Sequence, residues 1–122
     1  MIAVERKMRV KIGKVTFKDR GVAKKLATLP KNAHLLEIKI GVPTAFNGTG
    51  TDLLSVGTKA DDDAYVNDFD VASAVVPTTA TLLVGGQLGG GGGVTEVWGT
   101  YADSNSNATA GEANVYLIYC TI

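Results

Sequence analysis

The chain has 122 residues, 45% of them hydrophobic, with 15 glycines and one cysteine; this suits a single domain and excludes an intrachain disulfide or a zinc site built on cysteines. Twelve basic residues balance twelve acidic ones overall but not locally, since ten of the basic ones lie in the first 31 positions against Glu5 and Asp19, a net +8 facing −8 in the remainder. No run approaches the roughly 18 apolar residues of a membrane helix, and the N-terminus lacks the apolar core and cleavage pattern of a secretory signal, so folding in a reducing cytoplasm is expected.

In chain order, Met8, Val10 and Ile12 alternate with Arg9 and Lys11, and Val15 and Phe17 resume the alternation after Gly13. Period two predicts a strand bent or bulged at the glycine, with the basic residues facing outward. Val22 to Leu29 fits either a helical turn or an extended approach to Pro30. His34 to Val42 is the clearest strand, with Leu36, Ile38, Ile40 and Val42 on one face and Leu35, Glu37, Lys39 and Gly41 on the other. Thr44 to Thr51 reads as a surface turn in which Asn47-Gly48 and Gly50 tolerate positive φ. Further strands are expected at Asp52–Thr58, Ala64–Val71, Thr78–Val84 and Val94–Tyr101, with a glycine-rich loop from Gly85 to Gly93 and a polar connection from Ala102 to Thr109. The closing strand, Glu112 to Ile122, turns apolar on both faces towards its end, which marks a central strand or a subunit contact. About eight short strands predict an all-β, two-sheet β-sandwich, divided as a basic N-terminal strand or arm over 1–21 and a single sandwich domain over 22–122.

Catalytic chemistry finds little support in this residue set. His34 is the only histidine, at the mouth of an apolar strand, and Cys120 has no basic neighbour in sequence to activate it. The glycine run precedes a strand-like segment rather than a helix, so it does not read as a phosphate loop, and no cofactor motif appears. Asp61-Asp62-Asp63, with Asp52, Asp68 or Asp70 nearby, offers carboxylates to Ca²⁺. Three adjacent aspartates are not expected to point one way, however, and a solvated acidic turn is the simpler reading. The basic segment fits a solvated strand face, a protein-docking surface or a nucleic-acid arm; Phe17 is its one ring, and without further aromatics to stack bases, nucleic acid is the least favoured.

Four pieces in order carry a resemblance: Ala45-Phe46-Asn47-Gly48, Val56-Gly57-Thr58, Asp61 to Tyr65, and Ala110-Gly111-Glu112-Ala113. Over residues 22 to 122 the chain resembles small structural proteins of tailed-bacteriophage particles, of the capsid decoration or cement type. The resemblance implies a jelly roll, a non-enzymatic role, synthesis in a host bacterial cytoplasm, and a place on the outer capsid surface, bound to the major capsid protein and to copies of itself as a dimer or trimer. Candidate contact residues are Arg6, Lys7, Arg9 and Lys11 of the basic segment for docking, with Phe46, Asn47, Gly48, Thr49, Gly50 and Thr51, together with Gly89 to Gly93, as lateral contacts. The alternative implied role, a tail or fibre module that grips a host glycan, requires Trp98, Tyr101 and Tyr116 to be exposed for stacking on sugars.

Overall fold

The computed structural model describes residues 8–83, the backbone of 86–87, and 94–121. Its strands are β1 (Arg9–Thr16), β2 (Lys24–Leu29), β3 (Ala33–Thr44), β4 (Asp52–Gly57), β5 (Val66–Asp70), β6 (Val75–Thr79), β7 (Gly86–Gln87), β8 (Thr95–Asp103) and β9 (Glu112–Thr121), with a 3-10 turn at Phe17–Asp19. They form two antiparallel sheets in the orders β1-β9-β3-β6 and β2-β8-β4-β5, and the two-residue β7 adds to β3. The pairings β1 with β9, β2 with β8, β3 with β6 and β4 with β5 are those of one long hairpin wrapped around a barrel-like core. This is the jelly-roll order, and it makes β9 a central strand, paired on both sides.

The core fills the space between the sheets with Val15, Leu29, Leu35, Ile38, Ile40, Leu54, Val56, Val97, Tyr101, Val115 and Leu117, all at most 2% exposed. Burial of each such aliphatic side chain stabilises the fold by about 1.5–3 kcal/mol. Several strands depart from simple alternation where the ladder is irregular. A bulge between Lys25 and Ala27 settles the ambiguity of this stretch: it is a strand, and the extra residue lets Leu26 and Leu29 both point inward despite their helical spacing. A second irregularity, between Leu35 and Glu37, inverts the expected faces at the start of β3, so Leu35 is buried and Leu36 is 46% exposed.

Strand β1 also departs from expectation. Its register against β9 is unbroken, so Gly13 is no bulge. Gly13 is required instead by close approach, because a Cβ there would lie 2.5 Å from the Leu26 Cβ of the facing sheet. Gly13 and Val15 are the buried positions of this edge strand, which gives Arg9 and Lys11 the inward parity and leaves Val10 and Ile12 52% and 58% exposed. Lys11 survives on that side because it lies at the margin of the sandwich, where its Nζ donates to the Thr28 carbonyl at 2.6 Å. Towards the other edge, β6 begins at Val75, earlier than expected, and holds Pro77 in a strand with one free side, where a missing N–H is tolerated. The glycine run Gly89–Gly93 and the basic pair Arg6 and Lys7 lie outside the described residues.

Candidate functional site

One end of the sandwich is built by the turn after β3 and the connection from β8 to β9. Phe46 anchors the turn: it is 1% exposed, its ring centroid stands 4.4 Å from that of Tyr101, and its face is covered by Gly111. Gly111 has φ +148°, and a Cβ there would strike the Phe46 ring, so only glycine fits. The Phe46 side chain therefore positions the turn and is not itself available to a partner.

Asn47 crosses to the opposite loop. Its Oδ1 accepts from the Thr109 and Ala110 N–H groups at 2.7 and 3.0 Å, and its Nδ2 donates to Thr109 Oγ1 at 3.0 Å. The Thr49 N–H donates to Asn107 Oδ1, while its Oγ1 accepts from the side-chain amides of Asn105 and Asn107. The Thr51 N–H donates to Ser104 Oγ at 2.8 Å. Gly48 and Gly50 do not take positive φ, contrary to expectation; the left-handed glycines among the described residues are Gly21 and Gly111. Space is the reason for both, since a Cβ on Gly48 would lie 2.5 and 2.6 Å from carboxylate oxygens of Asp52 and Asp103, and one on Gly50 would strike Ser104 Oγ.

Those two carboxylates form the floor of this end. Asp103 is buried, with Oδ2 accepting from the Asn107 and Ala108 N–H groups at 2.8 and 2.7 Å and from Arg20 at 3.5 Å, while Oδ1 accepts from Asn105 N–H. Burial alone would raise its pKa; the hydrogen bonds from Ala108, Asn105 and Asn107, then the Arg20 charge, outweigh it and hold the carboxyl below the usual range. Asp52 Oδ1 accepts a hydrogen bond from the Tyr101 hydroxyl at 2.5 Å. Burial, then that hydrogen bond, pushes the Tyr101 phenol well above its ordinary value. Sequence inspection missed this Arg20–Asp103 and Tyr101–Asp52 arrangement because its members lie 83 and 49 positions apart. Above the buried floor, the exposed atoms are those of Asn47, Thr49, Gly50, Thr51 and Ser104 to Asn107. They make a polar rim with fixed donors and acceptors, which suits protein recognition and offers no nucleophile with an adjacent base.

Other candidate groups fall elsewhere. Arg9 and Lys11 stand exposed on the β1 edge, away from the rim. At the far end, the turn after β4 curls on hydrogen bonds from Thr58 N and Ala64 N to the Asp61 carbonyl. This curl overturns the expectation that adjacent aspartates diverge, for Asp61, Asp62 and Asp63 each bring a ligand atom within 4.8 Å of the others. A hydrogen bond with Asp61, then burial and the neighbouring charges, raises the Asp63 pKa. Asp61 and Asp62 are exposed and Asp63 part-exposed, the setting of a solvated acidic turn. The strand register sets His34 directly opposite Cys120, a pairing hidden in the linear sequence, with no hydrogen bond between them among the described residues. Tyr101 is fully buried, which corrects the expected exposure of three glycan-stacking rings. Trp98 and Tyr116 are half-buried on the outer faces of different sheets and cannot share one sugar.

No protein-family model matches the chain. No curated protein matches it in sequence. Among solved structures, a chain of the cyanophage Pam1 capsid asymmetric unit superposes with a TM-score of 0.77 at 21% identity, covering 100% of this chain and 94% of that one. A chain of the acid-stable capsid of the Helicobacter pylori bacteriophage KHP30 superposes at 0.60 and 16% identity, over 93% and 86% of the two chains. The chain thus shares its fold, over nearly its whole length, with chains found in two phage capsids.

Proposed function

We propose that this protein is a non-enzymatic structural component of a phage virion, a decoration or cement protein that binds the outer surface of the assembled head. The observation that carries the reading is the end-to-end fold match to a chain in a capsid asymmetric unit. The polar rim supports it, because cross-laced turns present a fixed pattern of donors and acceptors to a protein lattice at small ordering cost. The contacts with the major capsid protein and with neighbouring copies are made by the rim residues Asn47 to Thr51 and by the basic residues Arg6, Lys7, Arg9 and Lys11. Many such contacts, each modest, act together against the outward pressure of packaged nucleic acid.

Electron microscopy of the particle that carries this protein tests the reading. Density for this jelly roll at regular positions over the capsid lattice is the expected result; density confined to the tail would overturn it.

A further inference from the structure

The rim holds a dipeptide of low chemical durability, Asn47-Gly48. In an Asn-Gly pair the glycine nitrogen attacks the preceding side-chain carboxamide more readily than any other residue's would, because no Cβ hinders its approach. Both members of the pair are imposed by the fold. Gly48 admits no Cβ, which would lie 2.5 and 2.6 Å from carboxylate oxygens of Asp52 and Asp103. Asn47 accepts from the Thr109 and Ala110 N–H groups and also donates to Thr109 Oγ1, a combination that a carboxylate, having no donor, does not supply.

The closed rim opposes the attack in two ways. Cyclisation requires the carboxamide to swing back towards Gly48, but its Oδ1 is held at 2.7 and 3.0 Å and its Nδ2 at 3.0 Å by the opposite loop, and the Asn47 N–H donates to the Ala110 carbonyl at 3.3 Å. The attacking nitrogen must also shed its proton, and the negative charge it then carries is disfavoured beside the Asp52 and Asp103 carboxylates. Water and base are not kept out, because Asn47 and Thr109 are both exposed. Protection therefore lasts only while the clamp onto Thr109 and Ala110 is closed.

We propose that Asn47 is a self-modification site gated by the rim: it deamidates when the turn parts from the β8–β9 connection, and the product makes that opening permanent. The Gly48 nitrogen bonds to Asn47 Cγ, the Cγ–Nδ2 bond breaks, and ammonia leaves with the proton that the nitrogen gave up. Water then opens the cyclic imide at either carbonyl, giving aspartate or isoaspartate. Aspartate loses the donor to Thr109 and adds a negative charge next to Asp52 and Asp103; isoaspartate also lengthens, by a methylene, a main chain that packs against those carboxylates at Gly48. The inference stands on the geometry of the rim and is independent of the cement reading.

Incubation of the full chain in mildly alkaline buffer, with and without urea, followed by tryptic mass mapping, tests this. The tryptic peptide Ile40–Lys59 contains Asn47 as its one asparagine, so an amide-to-acid mass gain there is assigned without ambiguity, and isoaspartate separates from aspartate by retention. Asn47 in the native chain is expected to convert about tenfold or more slowly than in urea. Thr109→Val removes the acceptor of Nδ2 and should speed conversion of the folded chain about fivefold, the gain in opening that one lost hydrogen bond gives, while leaving the rate in urea unchanged. Chain converted at Asn47 should unfold at lower urea than fresh chain. Equal native and urea rates, a folded Thr109→Val chain that converts no faster than wild type, or converted chain with the unfolding midpoint of fresh chain overturns the proposal. Should Thr109→Val unfold the chain, the wild-type ratio of native to urea rates decides.

Discussion

Asp103 concentrates more of this protein's polar energetics than any other side chain described above. It is buried, and its two oxygens accept from three main-chain N–H groups and one guanidinium, so Asp103→Ala would strand the three main-chain donors, whereas Arg20 keeps the Ala108 carbonyl as a partner. Leaving partly buried main-chain donors without a partner costs about 1–3 kcal/mol, and urea unfolding of that variant should show a loss of this size. The same carboxylate gives stability a pH dependence. Its folded pKa lies below the unfolded value of roughly 3.9, so its contribution is present above that value and disappears as pH falls through the folded pKa. Urea titrations across that acidic range should show the wild type losing stability more steeply than Asp103→Asn. Gly111→Ala provides an independent check on the floor of the rim: positive φ and the Phe46 ring both oppose a methyl group, and a destabilisation of about 1–3 kcal/mol is expected from chemical denaturation.

At the scale of single strands, the informative comparison is Leu36 with Ile38. Plain alternation puts both on the core face, but the irregularity between Leu35 and Glu37 turns Leu36 to solvent while Ile38 remains fully buried. Ile38→Ala should therefore cost about 2–5 kcal/mol and Leu36→Ala only about 0.5 kcal/mol, measured by equilibrium unfolding. The pair also shows what a linear reading can and cannot recover. Strands at His34–Val42 and Glu112–Ile122 were legible because period two is imposed by backbone geometry wherever one face is buried. Inversions at Leu35 and Val10 and the bulge at Leu26 were not, since a bulge or an edge position is fixed by a partner strand far away in sequence. The rim was legible in part: Asn47 to Thr51 was recognisable as a turn, but the reason for Gly48 and Gly50 lies in Asp52, Asp103 and Ser104, which only the folded chain brings beneath them.

The whole molecule joins its first and last described strands, β1 pairing with β9 along all eight residues of β1. Removing residues 1–16 takes away that strand and uncovers the β9 ladder, so the shortened chain should lose the cooperative unfolding transition seen by circular dichroism. A separable arm would be removed without that loss, so the experiment also tests the division of the chain at residues 21 and 22. Pairing between distant segments makes closure of long loops a prerequisite for a nucleus, and refolding followed by stopped-flow fluorescence of Trp98 should take milliseconds to seconds.

Cys120 is the only thiol, 4% exposed on a strand with partners on both sides. An alkylating reagent reaches it only when the end of β9 opens beside His34, its partner on β3, so the rate of thiol modification counts local openings at that end of the strand. The chain thus carries a native clock for that local opening, readable by mass in solution.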